Sequence, residues 1–241
     1  MDRRNFLKSC GAIGASFPYS KHCFSDQHEG SFLLHAESGE AQIVGPDFPA
    51  TPVWAFNDQV PGTLIRIALG EQLIASLSNG LEVPTSVHWH GIRLPNAMDG
   101  VAGLTQPSVA PGESFEYRFT PPDAGTYWYH SHVKAFEQVG RGLYGPLIID
   151  EPEPPSVDRD LVWMIDDWRL LEDASISEDF GTGHDRSHAG RIGNVPTVNG
   201  RFRDVVTVRS GERLRLLLIN ASNARNFSLT FSDLALSLIH I

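Results

Sequence analysis

At 241 residues, 41% hydrophobic and 20% charged, the chain is long enough for more than one sandwich-sized unit and apolar enough to bury a core. Its formal net charge of −10 argues against a nucleic-acid partner, because phosphate backbones are held by clustered lysine and arginine. The two cysteines, Cys10 and Cys23, stand near the start, so neither a disulfide framework nor a thiolate ligand serves the body of the chain.

In chain order, Arg3-Arg4 followed by Phe6-Leu7-Lys8 and a weakly apolar stretch from Gly11 to Phe17 resembles a twin-arginine export signal. It predicts a leader over residues 1–30 and an exported, periplasmic protein. The apolar run is too short to span a bilayer, so no membrane span is expected. From 31 to 150 the pattern is all-β. Runs such as Leu64-Ile65-Arg66-Ile67, Leu73 to Leu77 and Phe115 to Phe119 are bounded by turn chemistry at Pro61-Gly62, Asn79-Gly80 and Pro111-Gly112. Short strands at this spacing predict one complete sandwich or barrel. Residues 151–160, opening with Glu151-Pro152-Glu153-Pro154-Pro155, read as a linker, since proline favours extended backbone.

A second β pattern starts at Leu161-Val162-Trp163-Met164-Ile165 and predicts a partial second domain over 161–235. Within it, Gly181 to Asn194 reads as a solvated loop carrying His184 and His188, with an accessory copper site as the alternative. Strand patterning resumes through Val205-Val206-Thr207-Val208 and Leu214 to Ile219. The last residues, Leu236-Ser237-Leu238-Ile239-His240-Ile241, are what CTGTCTCTTATACACATC encodes, the end sequence of transposase-based sequencing libraries. Residues 236–241 are therefore expected to be an adapter-derived tail, with native sequence ending near Ala235 and a natural apolar strand as the alternative.

Two motifs carry the chemistry: Val87-His88-Trp89-His90-Gly91 and Tyr127-Trp128-Tyr129-His130-Ser131-His132. On a strand, residues i and i+2 share a face, roughly 6–7 Å apart at Cα. Each His-x-His thus offers two imidazoles to one ion or to two neighbouring ions. Among ten histidines one such pair arises easily by chance. Two pairs, each on a predicted strand and flanked by aromatics, point to metal, and the all-imidazole donor set favours copper. Trp89 and Trp128 read as packing residues, and His22, His28 and His35 carry no assigned role.

With these motifs the chain resembles the multicopper oxidases, the family of laccases and bacterial copper-resistance oxidases. The likeness runs from Trp54-Ala55-Phe56-Asn57 through His88-Trp89-His90-Gly91, Met98-Asp99-Gly100, Gln106-Pro107 and the second histidine motif to Gly142-Leu143-Tyr144-Gly145-Pro146-Leu147. It implies a cupredoxin-like Greek-key β-sandwich, one complete domain plus a truncated second. It implies His88 on a type 2 copper, His90 and His130 on one type 3 copper, and His132 on the other. It gives Asp99 a role in moving protons beside the cluster; by itself Asp99 reads as a turn residue before Gly100. The implied reaction couples one-electron oxidation of a phenol-like molecule or a metal ion to reduction of dioxygen to water. The family's type 1 copper needs a cysteine, and none follows Cys23. The expectation is an N-terminal portion that is inactive alone, its other ligands lying in a missing C-terminal cupredoxin domain. A nitrite reductase is disfavoured by the lack of a cysteine between Thr51 and Asp150. The alternatives are a non-catalytic periplasmic protein on the same scaffold and a copper-binding module.

Overall fold

The computed structural model describes residues 30–232 and 234–237. The leader reading, Cys10, Cys23, His22, His28 and most of the proposed tail lie outside the described residues. Strands β1 (Ser31–Ala41), β2 (Thr51–Phe56), β4 (Leu73–Asn79) and β6 (Ser114–Phe119) form one sheet in the order β2-β1-β4-β6. Strands β3 (Ile65–Ala68), β5 (His88–His90), β7 (Gly125–His130) and β8 (Tyr144–Asp150) form a second in the order β3-β8-β7-β5. The pairs β1–β4 and β3–β8 are parallel and the rest antiparallel.

Period-two alternation builds the space between these sheets. In β4, Leu73, Ala75 and Leu77 point inward, and in β3 Ile65 and Ile67 do. They meet Trp89, Tyr117, Tyr129, Leu147 and Ile149 in one core, each large side chain contributing roughly 1.5–3 kcal/mol by leaving water. This is the cupredoxin-like β-sandwich expected from the sequence.

A third sheet, β10-β9-β11, contains β9 (Arg159–Trp168), β10 (Val195–Val198) and β11 (Leu214–Asn220). Met164, Trp168 and Ile219 from it pack on Ile43, Val53, Ala55 and Tyr144 in a second core. Strand β8 is therefore covered on both faces, which is why it is buried from Tyr144 through Ile149. The Tyr144 hydroxyl crosses this contact and donates to Asp166 Oδ2 at 2.6 Å. The stretch 151–160, read as a linker, ends inside β9 and is tied down: Arg66 bonds Asp150 and Asp160, and Arg215 bonds Asp160 and Glu151.

Three local expectations need correction. Val205 to Val208 form no strand and are largely exposed, because β propensity without a neighbouring strand leaves the backbone groups unpaired. The expected loop Gly181 to Asn194 holds a short helix, α2 (Gly183–Ser187), capped where the Thr182 hydroxyl accepts from the Asp185 amide. It follows α1 (Ala135–Gln138) in the chain. His132 lies beyond the end of β7, so the second histidine pair is not wholly within a strand. Among the described residues no helix is long and apolar enough to cross a membrane.

Candidate metal centre

Strands β5 and β7 pair antiparallel with His88 opposite His130, Trp89 opposite Tyr129 and His90 opposite Trp128. Directly opposed residues point the same way. Trp89 and Tyr129 accordingly sink into the core, fully buried, while His88, His90, Trp128 and His130 stand on the other face. That alternation explains why aromatics interleave with histidines in both motifs. The Trp128 ring lies against both neighbours, 5.0 Å from the His90 centroid and 4.3 Å from that of His130. It packs, as expected, both against the imidazoles and at the edge of the second core.

One ring nitrogen from each of His88, His90 and His130 lies within 4.8 Å of the others. The His132 ring sits 5.2 Å from His88 and 6.4 Å from His130, centroid to centroid. His130 is buried, His88 half-buried, and His90 and His132 exposed. All four line the floor of a cavity of about 640 Å³, with Phe136, Arg186 and Asn223 among its walls.

The hydrogen bonds decide which nitrogens are free. His88 Nδ1 lies 2.8 Å from the Asp99 carbonyl oxygen, and His130 Nδ1 lies 2.8 Å from that of Ser131. A carbonyl only accepts, so each Nδ1 carries the proton and each Nε2 keeps its lone pair. Burial, the neighbouring imidazoles adding to it, pushes His130 down to about 4, and partial burial with His88 and His132 lowers His90 as well. These two rings are neutral at pH 7, the state that binds metal. His90 Nδ1 then faces His130 Nε2 at 3.3 Å. The donor set, imidazole throughout with the outer nitrogens of His88 and His130 held by carbonyls, fits a copper ion.

Asp99 ends a 3-10 turn, Asn96–Met98, and is held there by Gly100. Gly100 has φ +74°, and a Cβ on it would lie 1.7 Å from the Val87 carbonyl oxygen. Only glycine lets the turn press against the strand entering His88, and that contact delivers the Asp99 carbonyl to His88 Nδ1. The Asp99 carboxylate lies 3.4 Å from the same nitrogen.

A family model described as multicopper oxidase matches residues 25–154. The chain belongs to the multicopper oxidase family. Copper is thereby the cofactor and oxidation the chemistry that the family brings. Among multicopper oxidases, one from Mycobacterium tuberculosis is 32% identical over 260 aligned positions, 95% of this chain and 51% of that protein. Copper resistance protein A of Escherichia coli is 40% identical over 218 positions, 85% of this chain and 34% of that protein. The crystal structure of a multi-copper oxidase from Pseudomonas thermotolerans superposes with a TM-score of 0.77 at 36% identity, covering 82% of this chain and 48% of that one. The chain thus spans about half, or less, of the length of these multicopper oxidases.

Residues that the sequence reading missed support this centre. Ser131 Oγ donates to Gln138 Oε1 at 2.5 Å, the Thr85 hydroxyl donates to the same oxygen at 2.8 Å, and Gln138 Nε2 donates to the Pro84 carbonyl at 2.9 Å. All three side chains are buried. The network joins the segment entering β5 to the turn between His130 and His132. Thr85 lies 46 and 53 residues from its two partners, so no local spacing announces the network.

Proposed function

We propose that this chain supplies half of the trinuclear copper site of an exported oxidase that reduces dioxygen to water. In this reading His88 serves the type 2 copper, His90 and His130 one type 3 copper, and His132 the other. The observation that carries it is the approach of His90 Nδ1 to His130 Nε2 at 3.3 Å. With the His130 proton fixed on Nδ1, a nitrogen lone pair points at this gap, and a cation is the partner that lets both rings present one. Copper bound there supplies the one-electron redox steps that join oxidation of a phenol-like molecule or a metal ion to dioxygen reduction.

The chain's own groups hold the site and handle protons. The carbonyls of Asp99 and Ser131 fix the His88 and His130 rings, and Trp128 walls off one side. The Asp99 carboxylate, half-exposed beside His88, takes protons from water and passes them toward the cavity. No cysteine follows Cys23, so a type 1 copper and the remaining histidines would have to be supplied by a C-terminal cupredoxin domain. This chain alone therefore does not turn over. Export by the twin-arginine route belongs to the same reading and rests on Arg3-Arg4 and Phe6-Leu7-Lys8.

The test is a copper titration of the purified chain by equilibrium dialysis with electron paramagnetic resonance. Histidine-coordinated copper lost on His130→Ala or His90→Ala is the expected result. Unchanged stoichiometry in both variants overturns the assignment.

A further inference from the structure

Outside the candidate centre, a further pair of imidazoles is set together among the described residues. His184, on α2, and His188, the residue just past its end, have stacked rings with centroids 4.3 Å apart and planes 21° from parallel. Both are exposed. From this geometry we infer that His184 and His188 form a second, surface metal site, a bidentate imidazole clamp for a divalent transition ion with copper(II) preferred.

The two rings already stand side by side. His188 Nδ1 lies 3.2 Å from the His184 carbonyl oxygen and 2.9 Å from the Ser187 hydroxyl, so Nδ1 carries the proton and Nε2 keeps its lone pair. The His184 ring has no hydrogen-bond partner among the described residues, leaving a nitrogen free. Two nitrogens in neighbouring positions on one ion, each about 2 Å from it, lie roughly 3 Å apart. Rings stacked at 4.3 Å reach that separation by small side-chain rotations.

The backbone under the pair is anchored. The Thr182 hydroxyl caps the Asp185 amide at 3.1 Å, and the buried Asp185 carboxylate grips Arg169 at 3.0 and 3.1 Å. A five-residue helix would fray in isolation. Here its orientation is set from below, so the entropy of bringing two imidazoles together is already spent in folding. Copper(II) heads the preference because affinity of nitrogen donors rises along the first-row divalent series to copper. Water completes the coordination, since both rings face solvent. Asp185 and Arg186, between the two histidines, line the cavity floored by His88, His90, His130 and His132. The clamp therefore stands at the rim of that cavity.

The experiment compares copper(II) binding by the copper-reconstituted chain with His184→Ala, His188→Ala and the double variant, using equilibrium dialysis and electron paramagnetic resonance. The unaltered chain is expected to bind one ion more than the double variant, with a two-nitrogen signature. Each single variant should lose more than the roughly 10–100-fold in affinity that loss of an outer-sphere partner costs. Equal ion counts in the unaltered chain and the double variant overturn the inference, as does a single variant that keeps full affinity. His184→Asn with His188→Gln repeats the comparison with polar replacements, and circular dichroism verifies folding. The four cavity histidines are the same in every sample. Failure of the proposed copper centre would change the total bound but not this difference.

Discussion

Gln138→Leu isolates the buried network behind the histidines. Leucine keeps much of the volume but offers Ser131 and Thr85 nothing to donate to. Both hydroxyls are fully buried. Thr85 can turn wholly to Ser131 Oγ, 3.1 Å away, which leaves the Ser131 hydroxyl hydrogen without an acceptor. One orphaned buried donor costs about 1–3 kcal/mol, and the other lost hydrogen bonds add about 1 kcal/mol. A total of about 2–4 kcal/mol corresponds to a fall in Tm of roughly 5–15 °C for a chain of this size. Urea and thermal unfolding followed by circular dichroism measure it. Replacing both hydroxyls, Thr85→Val with Ser131→Ala, in the Gln138→Leu background removes the orphan and should recover about 1 kcal/mol or more. Because the network also fixes the turn between His130 and His132, copper affinity should fall in Gln138→Leu at temperatures where the chain remains folded. A stability loss under about 0.5 kcal/mol, with unchanged copper affinity, would refute the network as a support of the site.

Gly100→Ala should cost at least about 3 kcal/mol, because positive φ and a collision with the Val87 carbonyl act together; a variant as stable as the parent by urea unfolding contradicts the close approach. Asp166, buried against the Tyr144 hydroxyl, is pushed up to about 7, chiefly by burial. The folded state therefore holds this proton more tightly than the unfolded chain, so stability should fall as pH rises from about 4 to about 7, by up to about 4 kcal/mol. Asp166→Asn should flatten that slope in unfolding curves taken across the window. Below about 4 the trend should reverse, since Arg215 at Asp160, Ser177 with Arg191 and Arg169 at Asp179, and Arg169 at Asp185 hold these carboxyls below the usual range. Under the proposed trinuclear reading, His132→Ala should lose copper from the cluster. Asp99→Asn should keep its copper while reoxidation by dioxygen slows roughly 10–100-fold, measured as stoichiometry and stopped-flow rate.

What was legible in the sequence was what local chemistry dictates. Alternation bounded by Pro-Gly and Asn-Gly turns located β3, β4 and β6, and the spacing of His88, Trp89 and His90 foretold one face of imidazole and one of core. Val205 to Val208 misled because their β-branched composition is a preference that only a neighbouring strand can satisfy. Helix α2 was hidden because a single capped turn has no periodicity to detect; Thr182 before Asp185 was its one local signal, while the grip of Asp185 on Arg169 is tertiary. The Thr85–Ser131–Gln138 network and the seating of Trp128 on two imidazoles arise from strand pairing across dozens of residues. Gly100 stood in plain view within Met98-Asp99-Gly100, yet the carbonyl it makes room for belongs to Val87, on another segment.

The register of β5 against β7 has a consequence for the making of the protein. His88 faces His130, and Trp89 faces Tyr129. A slip of one residue in either strand would turn one set of imidazoles into the apolar interior and expose an aromatic in exchange. A mispaired chain thus forfeits its chelating face at the same moment that it spoils its core. A metal ion that needed ligands from both strands would therefore bind correctly paired molecules and pass over slipped ones.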